Sequence, residues 1–167
     1  MTNRRITITL WGDGKSKEKW CEWYLDAVEM MQQIGYKCTH IGIYSDSYDS
    51  GRAYTRGRKE KEIIAKLEAG EKVQSLSCYS LPKDYRSAAF DYYCSCIRSE
   101  EYCSVILYED DYTEENEKLI LSTLSKYILP EEGEIFANDR SEVSLLYTET
   151  KDRGNLKTYE FIKKIDL

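Results

Sequence analysis

Hydrophobic and polar positions alternate from the start of the chain: Ile6, Ile8 and Leu10 are separated by Thr7, Thr9 and Trp11, the period of two that gives a strand two faces. Gly12-Asp13-Gly14-Lys15 breaks the alternation, and the period then changes. Trp20, Trp23, Tyr24, Ala27, Val28, Met31 and Ile34 recur at i, i+3, i+4, i+7. This stripe predicts a helix over 16–34, with Ser16 as N-cap and Gly35 as its stop. Each Trp or Tyr on it can bury roughly 150–250 Å², which places this helix at the centre of the expected core.

The later pattern reads in the same way. Thr39, Ile41 and Ile43 alternate in a strand over 38–44, and a loop poor in aliphatic residues follows over 45–54. Ile63, Ile64 and Leu67 mark a narrow helical stripe over 58–69, stopped by Gly70. Strands are expected over 73–81, 88–98 and 102–108, the last two joined at Ser99-Glu100. That hairpin would set Arg98 opposite Glu101, Cys96 opposite Cys103 and Cys94 opposite Val105, with Phe90, Tyr92, Cys94 and Cys96 on one face. Ile120, Leu121, Leu124, Tyr127 and Ile128 predict a helix over 113–129, ended by Pro130, where Asp111 and Glu114 fit a capping box. Three more strands are expected over 134–138, 143–148 and 157–165. The order predicts one α+β domain over 1–167: a mostly antiparallel mixed sheet, about three helices mainly on one face, and the first helix packed centrally. The strand-helix-strand segments that open the chain and surround Thr113 fit a split βαβ plan.

A chain of 167 residues can bury a core without metals or disulfides. Its six cysteines lack Cys-x-x-Cys spacing and are expected to be reduced. With no charged-then-apolar leader and no apolar run approaching 18 residues, a cytoplasmic protein is expected, without membrane contact. The net charge of −6 is uneven: residues 1–70 carry 12 Lys and Arg against 10 Asp and Glu, and residues 71–167 carry 12 against 20. An acidic second half is repelled by phosphates and attracted to basic proteins, so nucleic acid is not an expected partner. Fifteen tyrosines against three phenylalanines suit surfaces that bury a ring while keeping a hydroxyl wet.

Several constellations could carry chemistry. Gly14-Lys15-Ser16 between strand and helix, with Asp110 after an apolar strand, suggests a phosphate-binding loop. However, the first glycine of such a loop falls at Thr9, and the turn is too short to cradle phosphates. Residues 109–117 hold six carboxylates, of which Glu114 and Glu115 suit a helix N-terminus. Glu109, Asp110 and Asp111 precede the helix and are left for an anionic contact surface. Tyr44, Asp46, Tyr48, Asp49 and Tyr54 give the 44–54 segment the composition of adaptable binding loops. Cys94, Cys96 and Cys103 read as small buried residues. His40 and Asp91 stand without the partners that catalysis requires. No catalytic residue, cofactor or metal is assigned.

In its size, acidity, single-domain build and lack of catalytic apparatus, the chain resembles the immunity proteins of bacterial polymorphic-toxin and contact-dependent inhibition systems. The resemblance is to the general type and implies a protein that binds one cognate toxin and blocks it. The expected partner is a basic, nuclease-type toxin domain, and the expected state is a monomer or weak dimer. Tyr44, Asp46, Tyr48, Asp49, Tyr54, Glu109, Asp110, Asp111, Glu114 and Glu115 would be the contacts. The alternative is a small enzyme or a nucleotide- or small-molecule-binding domain using Lys15 and Asp110.

Overall fold

The computed structural model describes residues 4–15 and 18–167. One eight-stranded sheet organises the chain, with β1 (Arg4–Gly14), β2 (His40–Ser45), β3 (Tyr54–Thr55), β4 (Val73–Ser80), β5 (Cys94–Ser99), β6 (Tyr102–Tyr108), β7 (Ile128–Asp139) and β8 (Glu160–Lys164). Across the sheet the order is β3-β2-β4-β5-β6-β1-β7-β8, and every neighbouring pair is antiparallel. Since β6 and β7 both run antiparallel to β1, they run parallel to each other. The helix α3 (Glu114–Leu124) joins them across β1, the split βαβ arrangement expected from the sequence.

Period-two alternation decides which side each residue takes. Ile6, Ile8 and Leu10 face the same layer as Ile41, Ile43, Leu76, Cys78, Cys94, Cys96, Val105, Leu107 and Ile135. Onto it pack α1 (Trp20–Gln33), α2 (Arg56–Glu68) and α3. The α1 stripe is buried as predicted, with Trp23, Tyr24, Ala27 and Met31 wholly enclosed, and α1 contacts β4, β5, α2 and α3. Helix α1 starts at Trp20 with Lys19 at its N-cap and no side-chain cap, while Ser16 lies outside the described residues. Gly35 ends the helix at φ +102°, where its N–H reaches Gln32 and the Tyr36 N–H reaches Met31.

The other side of the sheet is covered only in part. A short helix α4 (Leu145–Thr150) occupies the segment expected as a strand over 143–148. The Tyr147 and Tyr159 hydroxyls both donate to the buried Glu134 carboxylate on β7, and the Tyr147 ring meets Phe136 edge-on at 4.8 Å. Those anchors hold the segment against the face of the sheet; the edge position beside β7 belongs to β8. Residues 88–93 are likewise not strand: Tyr92 is buried with Leu81 and Ile106 on this second side, and Phe90 is exposed.

Two expected details shift. The β5–β6 hairpin pairs Arg98 with Cys103 and Cys96 with Val105, two residues along from the expected register, because the Ser99 hydroxyl accepts the Glu101 and Tyr102 N–H groups and closes the turn. A two-residue slip leaves Cys94 and Cys96 on one face as predicted, whereas Tyr92, ahead of the strand, joins the second side and Phe90 is exposed. Helix α3 is capped by Thr113, which accepts the Asn116 N–H at 3.1 Å in place of the Asp111 and Glu114 box. It ends at Leu124, and Pro130 sits inside β7 beside the bulge at Trp11/Gly12. A Cβ on Gly12 would come within 2.0 Å of the Leu129 carbonyl oxygen, so only glycine allows this approach.

Candidate partner-binding surface

The register separates what the sequence suggested as one site. Arg5 pairs with Tyr108, so Asp110 lies at the Arg4 end of β1, while Lys15 lies beyond the other end, roughly 36 Å away at about 3.3 Å per residue. Lys15 and Asp110 cannot act together. The loop also has the wrong polarity for a phosphate: the Lys15 and Lys19 carbonyls point at the Arg98 guanidinium at 2.9 and 3.1 Å, and the Lys15 N–H is taken by Tyr127. A phosphate cradle needs N–H groups turned inward.

Much of the acidic 109–117 segment is engaged internally. Glu109 accepts from Arg4 at 2.9 Å, Asp111 takes the Tyr36 hydroxyl, and the buried Glu117 holds Tyr112 and Lys163. Asp110, Glu114 and Glu115 are exposed, Glu114 beside Lys118 one helical turn on. In the tyrosine segment Asp46 and Asp49 are exposed, whereas Tyr48 is buried, its hydroxyl on Glu62 of α2 and its ring against Tyr54. Tyr48 is therefore a core residue, because α2 passes beneath the loop. Tyr54 is half-buried in β3, paired with Ile41. Tyr44 remains 47% exposed on the partly uncovered side of the sheet. Following the strands, Tyr44 lies level with Ser75 and Ser99 at the β5–β6 turn, about 26 Å along the strand direction from Asp110 and three strands across. The expected contact residues thus form two separate surfaces.

A third arrangement was not legible in the sequence. Around the β5–β6 turn three hollows adjoin. One of about 340 Å³ lies between Asp13, Trp20, Arg98, Glu100 and Glu101. The next, about 410 Å³, is lined by Trp11, Asp13, Glu101, Tyr102, Glu131 and the α4 end Thr148–Lys151. The third, about 390 Å³, runs over the open floor of Gly42, Ser75, Ser77 and Tyr79, between Tyr44 and Leu146, to Glu149. Asp13 and Glu101 are shared by the first two hollows and Glu149 by the last two. Asp13, Glu100, Glu101, Glu131 and Glu149 are all exposed, yet they come from β1, the hairpin turn, β7 and α4, so no local run of sequence announces them.

The geometry there suits a cation. The Lys151 ammonium lies 4.8 Å from the Trp11 ring centroid and 2.8 Å from Glu132, whose carboxyl the hydrogen bond from Lys151 holds below its ordinary pKa. The Trp11 indole N–H donates to the Thr148 carbonyl at 2.7 Å, and the Tyr102 hydroxyl donates to Glu149 at 3.2 Å. Burial pushes the Tyr102 hydroxyl pKa up, and the Glu149 charge adds to the shift, so this donor keeps its proton at neutral pH.

The residues singled out for chemistry have structural surroundings. Nδ1 of His40 lies 2.8 Å from the Thr39 hydroxyl, its ring meets Tyr85 edge-on at 5.1 Å, and burial lowers its pKa. Asp91 closes its own turn by accepting the Arg86 and Ser87 N–H groups. Five of the six cysteines are buried, and burial pushes the Cys103 thiol to about 12. Among the described residues no group of three His, Cys, Asp or Glu is placed to hold a metal, and no helix is long and apolar enough to cross a membrane.

No family model matches the chain, and neither a curated protein nor a solved structure matches it.

Proposed function

We propose that this chain is a stoichiometric inhibitor of the immunity-protein type, which binds a cognate toxin domain with a basic surface and neutralises it. The observation that carries the reading is the run of three hollows around the β5–β6 turn, joined by Asp13, Glu101 and Glu149 and flanked by Glu100 and Glu131. The five acids outnumber the cations Arg52, Arg98 and Lys151 that also line these hollows, and a concave surface with a net excess of one charge speeds encounter with an oppositely charged partner. Tyr44 and Leu146, both about half exposed, frame the third hollow and supply apolar contact beside the charges. Asp13 and Glu131 stand on strands, Glu149 on α4 and Glu100 and Glu101 on a tight hairpin turn, so the acids are largely held in place before binding.

The test is affinity capture of the tagged chain from its host, mass spectrometry of what it retains, and growth of cells expressing that protein with and without the chain. A one-to-one partner that arrests growth alone and is harmless in company supports the inhibitor reading. Recovery of the chain by itself, or with partners whose expression leaves growth unaltered, overturns it.

A further inference from the structure

We infer that residues 82–93 form a strap that opens on its own while the sheet beneath it stays folded, and that its opening removes one wall of the third hollow. The strap is a loop whose ends meet: Ser80 and Cys94 are partners across the β4–β5 ladder, and the Tyr93 N–H donates to the Ser80 carbonyl at 2.8 Å. Such a loop can lift without breaking the pairing of the strands that carry it. Within it Tyr92, 3% exposed, is the one buried residue, and Phe90 and Tyr93 on either side stand in solvent. Tyr85 adds an edge-on ring contact with His40. Most of the strap's hydrogen bonds close turns within it: the Tyr85 N–H reaches Pro82, the Phe90 and Asp91 N–H groups reach Ser87, and the Asp91 carboxylate accepts from the Arg86 and Ser87 N–H groups. A segment with so little apolar burial belongs to the low end of the local stabilities in a fold.

The closed strap also strips polar atoms of water. Arg5 fastens it through one nitrogen, Nη2, to the Phe90 and Tyr92 carbonyls, with the guanidinium over the Tyr92 ring. The Nε and Nη1 of Arg5 are left buried without partners. So is the hydroxyl of Tyr108, which pairs with Arg5 across β1 and β6 and whose ring lies 6.2 Å from that of Tyr93. Each of these atoms costs the closed state its lost hydration, and recovers it when the strap lifts. One buried ring and one guanidinium nitrogen therefore hold the strap down against the hydration of Arg5 and Tyr108. Ser87, Ala88 and Ala89 line the third hollow, so lifting the strap widens it. The use of that wider hollow in admitting a toxin rests on the inhibitor reading, whereas the opening itself does not.

Hydrogen exchange of the full-length protein, followed by NMR at neutral pH and rising low urea, tests the strap. The Arg5 Nε–H is the direct reporter, because burial alone protects it, and the Tyr93 N–H is the second. The Ile8 N–H, at the centre of the sheet, reports on global unfolding. The two strap protons should exchange at least about a hundredfold faster than Ile8 and ignore low urea, while Ile8 quickens with it. Tyr108→Phe removes an unpartnered hydroxyl without changing the shape of the ring, and should slow the Arg5 proton about fivefold. Tyr92→Ala removes the buried ring and should speed that proton at least about tenfold while Ile8 stays protected. Exchange of the Arg5 and Tyr93 protons in the same urea-dependent step as Ile8 overturns the inference. So does unchanged or faster exchange in Tyr108→Phe, which would show that the hydroxyl had a bound water to lose. Since no toxin enters this measurement, it can fail while the capture experiment succeeds, and the reverse.

Discussion

The guanidinium of Arg98 stands 4.1 Å from the ring centroid of Trp20 and donates to the Lys15 and Lys19 carbonyls, tying the end of β1 to the start of α1. Arg5, equally enclosed at 1% exposure, lies 3.9 Å over the Tyr92 ring and donates from one nitrogen to the Phe90 and Tyr92 carbonyls. Its Nε and Nη1 are buried without partners.

The two arginines should therefore respond differently to an apolar replacement. Arg98→Met strands two carbonyls and removes a satisfied cation, and should cost about 3 kcal/mol. Arg5→Met also loses carbonyl bonds, but it removes a charge whose other donors were desolvated for nothing, and should fall within about 1 kcal/mol of the parent. Urea denaturation at neutral pH compares them, and equal losses would show that burial alone sets the cost.

Glu117 supplies a pH dependence. Burial by itself would raise its carboxyl pKa, but the hydrogen bonds from Lys163 and Tyr112 outweigh that and hold it below the ordinary value. A carboxyl depressed in the folded state contributes stability that is present above the unfolded value of about 4.3 and is lost as pH falls through the folded value. Glu117→Gln should cost about 1–2 kcal/mol at pH 7, and the gap to the parent should close as the pH drops below about 4. Melting curves between pH 3 and 7 give the difference, and a gap independent of pH would remove the ion pair from the account.

Thiol accessibility should divide the cysteines. Cys21 on α1 is the half-buried one, whereas Cys38, Cys78, Cys94, Cys96 and Cys103 are buried. A disulfide reagent in native buffer should label Cys21 fastest, with Cys78, Cys94, Cys96 and Cys103 appearing only on unfolding. Peptide mapping after timed quenching would reveal any early label on those four.

With a partner in hand, the two acidic surfaces can be ranked. Reversing Glu100, Glu101 and Glu149 to Lys should slow association at least tenfold at low salt and flatten its salt dependence. The same reversal at Asp110, Glu114 and Glu115 should have the smaller effect, since those residues lie at the far end of the strands. Stopped-flow association rates distinguish the two, and the opposite ranking would return the contact to the 109–117 segment.

The sequence carried the helix-facing layer well. Ile6, Ile8 and Leu10 and the α1 stripe are long periodic signals, and burial of one face rewards each step of the period. It carried the second layer badly: Val143, Leu145 and Tyr147 alternate like a strand, yet Leu145 and Tyr147 lie in α4, because Tyr147 is fixed by Glu134 and Phe136 on β7, close in space only once the sheet exists. The acidic hollows were hidden for the same reason, since Asp13, Glu101, Glu131 and Glu149 become neighbours through strand order alone. Tyr48 read as a contact residue by composition, and only the path of α2 beneath it explains its burial.

The position of β1 also bears on how the protein is made. Strand β1 precedes β6 and β7 by roughly 100 residues in the chain yet ends between them, where Ile8 finds Val105 on one side and Ile135 on the other. Until most of the chain has been synthesised, this apolar and β-prone segment has no native neighbour, and such long-range pairing is slow to form. The hairpin turn bearing Glu100 and Glu101, the Glu131 segment and α4 all complete their common rim only when β1 is seated. A chain cut short before β7 should therefore lack the common rim altogether, which forms only once the whole sheet has closed around β1.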